Sequence, residues 1–173
     1  MCKGISMVAT QNEVYWLESS NSHEEIKKAF KLKDNRADGL LIVELYPRGK
    51  SIFSTKEKDW QFMFENSPSW FDEFKDKERI LDTLFNKVHP AWESTGKIIA
   101  RLDISGLGYK TLPLDLGKWA TTVDCRNNQL TKLELPLATT VYCGVNQLTK
   151  LELPLATTVY CGNNPKLKGK WVK

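Results

Sequence analysis

Three cysteines, Cys125, Cys143 and Cys161, recur at a strict spacing of 18, and a fourth, Cys2, follows Met1. A thiol can be a nucleophile, a metal ligand or a disulfide partner, and the spacing discriminates among these. Zinc sites need several ligands converging on one point, whereas one thiol per 18 residues runs along a line. The column therefore reads as small, reduced hydrophobes in a core, with no metal implied. Cys2 is a different case. With Met1 trimmed, its thiol stands beside its own α-amine, which can serve as the base of an N-terminal nucleophile, so Cys2 is the candidate catalytic residue. His23 and His89 have no nucleophile, carboxylate pair or Cys/His cluster beside them in sequence, and read as surface or helix-capping residues. No P-loop, dinucleotide fingerprint, zinc spacing or EF-hand loop occurs, so no cofactor is implied.

The cysteines belong to a tandem repeat. Residues 129–146 and 147–164 are copies of one 18-residue unit that differ only at Val145 and Asn163. ATTVDCRNN at 120–128 carries the same unit's ending, and RLDISGL at 101–107 with TLPLDL at 111–116 fits if Gly117, Lys118 and Trp119 are an insertion. About four coils are expected. Alternation along a strand puts Val123/Cys125, Val141/Cys143 and Val159/Cys161 inward, and Thr122/Asp124, Thr140/Tyr142 and Thr158/Tyr160 outward. Leu133/Leu135 and Leu151/Leu153 form a second apolar row that only stacked coils can bury. Asn128, Asn146 and Asn164 should ladder along the turns and satisfy backbone groups there. Lys132/Lys150 and Glu134/Glu152 repeat with the coil and read as a solvated face. PKLKGKWVK at 165–173 reads as a cap with Trp171 as its lid, and the first domain as the cap of the other end.

The outward residues Thr140, Tyr142, Thr158 and Tyr160, with Asp124 in place of the tyrosine on the preceding coil, are the candidate partner-binding set. Tyrosine offers contact area at low entropic cost. Four strands about 4.8 Å apart present only a few hundred Å², less than the roughly 800 Å² per partner of a standard interface, so further surface must contribute.

Up to residue 97 the chain is aromatic-rich and not repetitive. CKGISMVAT, QNE and VYWLES read as a hairpin. Ser22-His23-Glu24-Glu25 is a capping box that opens a helix with Ile26, Ala29 and Phe30 on its apolar stripe. GLLIVELY at 39–46 reads as a buried strand, and DWQFMFE at 59–65 as a half-buried one through Trp60, Phe62 and Phe64. A helix from about Ser67 to Val88 should place Phe74, Leu81, Leu84, Phe85 and Val88 inward and stop at His89-Pro90. The order ββαββα implies a small α+β domain over 1–97, followed by a repeat domain over 98–173.

Charge divides with the domains. Residues 1–97 hold 15 basic and 16 acidic side chains and 98–173 hold 10 and 5, including Lys166, Lys168, Lys170 and Lys173. This basic end offers nucleic-acid contact as one alternative, against a solvated terminus that aids solubility. No 18-residue apolar run exists and MCKGISMVAT lacks a signal peptide's pattern, so a soluble cytoplasmic protein without membrane contact is expected.

Aligned on the cysteines, the coil A-x-x-V-x-C-x-x-N-x-L-x-x-L-x-L-P-L is similar to the leucine-rich repeat consensus over roughly 98–167. That resemblance implies one short parallel strand per coil and Asn side chains bonded to the turn backbone. Cys2 at the head of a hairpin resembles class II glutamine amidotransferases and, more loosely, the abasic-site-crosslinking SRAP domains, although those begin Met-Cys-Gly and here Lys3-Gly4 follows. The MCKG start, the aromatic α+β domain with its PSWF segment and the short Cys-containing coils together resemble small uncharacterised proteins encoded by tailed bacteriophages. The expected function is non-catalytic protein–protein interaction, with a host or defence-system protein as the partner and the host cytoplasm as the location. An enzyme built on Cys2 and nucleic-acid contact are the alternatives.

Overall fold

The structure is a computed structural model of the chain and describes residues 4–34, 39–48, 51–96, 99–113, 115–116 and 120–168. The chain divides into two compact units, one of Met1–Arg48 with Phe53–Gly96 and the other of Gly49–Ile52 with Lys97–Lys173. Among the described residues no helix is long and apolar enough to cross a membrane.

The first unit is a mixed α/β region built on an antiparallel sheet. Its strands are β1 (Ile5–Ala9), β2 (Val14–Tyr15), β3 (Leu41–Pro47) and β4 (Trp60–Phe64), in the spatial order β2-β1-β3-β4. Gly4 enters β1 with φ +66°, and a Cβ there would stand 2.5 Å from the Leu45 carbonyl oxygen, so only glycine fits. Every residue of β1 and β3 is buried, because helices cover both faces. Helix α1 (His23–Ala29) is opened by Ser22, whose Oγ accepts from the Glu25 N–H at 3.5 Å. It packs Ile26 against Val8, Leu40 and Ile42; removing such a side chain to alanine typically costs about 2–5 kcal/mol.

The opposite face of the sheet carries Trp60 and Phe62, met by helix α2 (Glu73–Thr83) and helix α3 (His89–Thr95). Lys77 lies over the Phe62 ring at 5.4 Å, and His89 meets Trp60 at 5.9 Å between ring centroids. Three expectations for this helix are corrected. It starts later, capped by Asp72, whose Oδ1 accepts from the Phe74 and Lys75 N–H groups. Phe74 points outward and is 81% exposed, because the inward line runs Asp76, Ile80, Leu84, Val88 in steps of four, and Phe74 is not on it. The helix also does not stop at His89-Pro90. A wide turn over Leu84–Val88, closed by the His89 N–H to the Leu84 carbonyl, precedes Pro90 and gives its ring room among the preceding carbonyls. The chain leaves the helix at Gly96, φ 64°, which suits glycine.

The second unit is a parallel β-solenoid of about three turns over residues 101–160. Strands β5 (Ile99–Asp103), β6 (Ala120–Asp124), β8 (Thr140–Tyr142) and β10 (Thr158–Tyr160) form one parallel sheet, while β7 (Lys132–Glu134) and β9 (Lys150–Glu152) pair on the return limb. The coil count is therefore lower than the four expected. In the 111–116 segment Pro113 stands where later coils have Glu134 and Glu152, and a proline has no N–H to give to a ladder. Of the inward rows, Val123, Val141, Leu133, Leu135 and Leu151 are buried, while Leu153 and Val159, on the last coil, are half-buried.

Asparagines hold the coils in register. Asn146 Oδ1 accepts from the Leu130 N–H at 3.0 Å, while its Nδ2 donates to the Cys125 and Cys143 carbonyls at 3.0 and 3.1 Å. Asn128 and Asn164 repeat the pattern on their own coils. Each side chain thus closes its own turn and ties it to the coil before, satisfying groups that are costly to bury unpaired. The residue before each asparagine is left-handed: Asn127, Val145 and Asn163 have φ of 55°, 55° and 57°. Asparagine tolerates this region, but a β-branched valine does not.

Candidate functional site

The outward face of the solenoid sheet follows directly from strand register. Thr122, Thr140 and Thr158 align in one row, and Asp124, Tyr142 and Tyr160 in the next. Parallel, in-register strands bring identical side chains together, and the Tyr142 and Tyr160 rings stack at 4.9 Å with only 4° between their planes. Tyr160 is 56% exposed, Tyr142 and the threonines of the face about half-buried.

Asp124 does not stand free as an acidic neighbour. Its carboxylate is buried beneath Arg126, whose Nε and Nη2 donate to it at 2.9 and 2.6 Å, and the Arg126 backbone N–H adds a third bond at 3.2 Å. Hydrogen bonding to Asp124 raises the Arg126 pKa above its ordinary value. The guanidinium also lies over the Tyr142 ring at 5.6 Å. The group offered to solvent on this coil is therefore a cation. Arg126 was missed from the sequence, although a signal was there: its coil position is Gly144 and Gly162 in the next copies, so Asp and Arg replace Tyr and Gly together. A Cβ on Gly144 would come 3.1 Å from the Gly162 carbonyl oxygen, which explains the glycine between tyrosine-bearing coils.

The thiol column lines the core as expected for its first two members. Cys125 and Cys143 are buried and Cys161, on the last coil, is half-buried, and no disulfide joins the three. Burial pushes the Cys125 thiol well above its ordinary value and Cys143 up to about 12, so neither is a thiolate at neutral pH. The return limb carries Lys132–Glu134 and Lys150–Glu152 ion pairs on its exposed face. Cys2, Trp171, Lys170 and Lys173 lie outside the described residues, and Lys166 and Lys168 are exposed.

The first unit holds a polar constellation that sequence reasoning did not assemble. His23 is not a surface residue: it and His89 are each only 5% exposed. His23 begins α1 over the centre of the sheet, and Nε2 lies 3.2 Å from the Val43 carbonyl oxygen. Glu44, in the middle of β3, is 3% exposed and accepts a hydrogen bond from the Tyr46 hydroxyl. Glu65 follows β4 and is held there by its N–H to the Ile42 carbonyl at 3.0 Å. A ring nitrogen of His23 and one carboxylate oxygen from each of Glu44 and Glu65 lie within 4.8 Å of one another. The available clue was Glu44 itself, a charge in the apolar run LLIVELY, since burying a carboxylate demands compensation.

Comparison with protein-family models, with curated proteins and with solved structures finds no match to this chain.

Proposed function

We propose that this protein is a non-catalytic binding module whose contact surface centres on the outward face of the solenoid sheet. The observation that carries the reading is the column Arg126–Tyr142–Tyr160, a cation stacked on two parallel aromatic rings, on a face open to solvent. Tyrosine and arginine are the residue types that most often anchor protein interfaces, because they combine area, stacking and hydrogen bonding. Leu137 and Leu155, 44% and 53% exposed, precede the strands that carry the tyrosines, and Val145, 47% exposed, follows the first of them. The sheet face alone is too small to form a standard interface, so further surface must contribute. The coil's likeness to leucine-rich repeats favours a protein partner, and the likeness of the whole architecture to small phage-encoded proteins favours a host or defence-system protein.

Capture of partners from a host lysate with the wild-type protein, repeated with Tyr142→Ala/Tyr160→Ala, tests the reading. Each tyrosine at a true interface is expected to contribute more than about 1 kcal/mol to affinity. A purely structural cross-strand pair is expected to affect stability alone, by about 0.2–1 kcal/mol. Unchanged affinity with a lowered melting temperature overturns the proposal.

A further inference from the structure

We propose that the outer edge of β4 takes up an extended peptide of a partner protein, which joins the first unit's sheet as an added strand and carries carboxylates at its C-terminal end. The inference concerns a second surface and does not rest on the solenoid face. At one end of the β3–β4 ladder the Asp59 carbonyl accepts from the Arg48 N–H, and at the other the Glu65 N–H donates to the Ile42 carbonyl. An antiparallel ladder alternates bonded and non-bonded pairs. Asp59, Gln61, Met63 and Glu65 therefore turn their backbone groups to β3, while Phe62 and Phe64 aim N–H and C=O outward. The Trp60 N–H is taken by the Glu57 carbonyl, and the Trp60 carbonyl faces out with the others. Among the described residues β4 ends the sheet and no strand pairs with its outer side.

Natural sheets blunt such edges with charges, prolines, bulges or short strands. The opposite edge follows that rule, since β2 is two residues long and the chain turns at once into the Leu17–Ser20 bridge. β4 does not: Trp60–Phe64 reads WQFMF, without charge or proline, and its register with β3 runs unbroken. Beside it lies a trough of about 630 Å³, lined by Phe62 and Phe64, whose rings stack at 5.9 Å, and by Glu73 and Lys77 of α2. A groove between an edge strand and a helix suits strand addition, in which main-chain bonds supply affinity and alternate side chains supply selectivity. A row of backbone donors and acceptors finds its full complement only in another extended backbone, which makes the ligand a peptide. Charge then sets its end. Glu73 and Lys77 neutralise each other at 2.6 Å. Arg48 and Lys58 also line the trough, are exposed, and form no ion pair among the described residues; Glu57 offsets only one of them. A peptide that continues the antiparallel order runs opposite to β4, so its last residues reach the Trp60 end, where Arg48 and Lys58 stand. A second copy of this chain fits less well. Two β4 strands paired about Phe62 would set two Lys77 ammonium groups over neighbouring rings, like charge beside like charge.

Titration of the ¹⁵N-labelled full chain with the synthetic peptide acetyl-Thr-Val-Thr-Val-Asp-Glu, and with a counterpart ending in Lys-Lys, tests the proposal by NMR and amide hydrogen exchange. The acidic peptide should slow exchange of the Phe62 and Phe64 amides by about 10-fold or more, and the basic one should bind about 3-fold or more weakly than that. Phe64→Pro removes an outward donor and no bond to β3, so it should keep the circular-dichroism spectrum and abolish protection of Phe62. Arg48→Glu/Lys58→Glu, at two exposed positions, should reverse the preference between the peptides. No protection of Phe62 at about 1 mM peptide, protection confined to the solenoid strands, equal binding of both peptides, or binding that survives Phe64→Pro unchanged would overturn the proposal. Protection of Phe62 that grows with protein concentration alone would identify a second copy as the occupant, and would overturn it as well.

Discussion

Arg126 closes over Asp124 through a two-pronged ion pair, leaving the carboxylate 3% exposed while the guanidinium remains about half in solvent. The same two coil positions hold tyrosine and glycine in the following copies. The fold thus accepts two alternative pairs at one place: a small residue with a ring, or a long cation over a short acid.

That pairing has an asymmetric consequence. Arg126→Ala strands a buried carboxylate and should lower stability by about 1–3 kcal/mol, discounted because the arginine is half exposed. Asp124→Ala leaves only a solvated cation and should cost less. The double change Asp124→Tyr/Arg126→Gly, which copies the next coil, should recover most of the loss. Urea denaturation of the three variants checks the ordering, and equal losses for the two alanine variants would contradict it.

Val145 is the one β-branched residue held at positive φ among the described residues, in the position where the other coils have Asn127 and Asn163. A left-handed backbone costs an L-residue with a branched Cβ about 1–2 kcal/mol. Val145→Asn should therefore raise the stability of the solenoid by about 1 kcal/mol, and Asn163→Val should lower it by a similar amount. A midpoint for Val145→Asn at or below that of the wild type contradicts the strain.

Asn146 is bonded on both sides, to the Leu130 N–H and to the Cys125 and Cys143 carbonyls. Asn146→Ala leaves several buried backbone groups unsatisfied, each costing about 1–3 kcal/mol. Loss of about 3 kcal/mol or more is expected, with hydrogen-exchange protection falling first at Leu130 and Cys143. A loss below 1 kcal/mol would show that the ladder contributes little.

The thiol column predicts an alkaline weakness. Cys143 has its pKa raised from 9.0 to about 12 in the folded chain, and burial likewise pushes the Cys125 thiol well above its ordinary value. Below pH 9 both are protonated in folded and unfolded chains alike, and their burial contribution is fully present. Between pH 9 and about 12 the unfolded chain releases protons that the folded chain keeps. Stability must fall there, by up to about 1.4 kcal/mol per pH unit for each thiol. Cys143→Ala should flatten the pH dependence of the urea midpoint above pH 9. Alkylation at pH 8 should modify Cys161 before Cys125 or Cys143.

The period of 18, the inward valine, leucine and cysteine rows, the asparagine ladder and the ββαββα order were all written in the sequence. Each depends on local alternation or on copies stacking in register, so position in the repeat dictates position in space. The sequence misled where a local rule met a non-local remedy. Pro90 reads as a stop, but the widened turn before it admits the ring; Asp124 reads as exposed, but Arg126 two residues on folds back over it. His23, Glu44 and Glu65 are the clearest case, since Glu44 alone stands out in the linear chain and nothing there joins it to the other two. Only antiparallel pairing of β3 with β4, and the docking of α1 across that sheet through Ile26, bring a helix start, a strand centre and a strand end to one point. Such convergence is a property of register between distant segments, which tertiary packing alone decides.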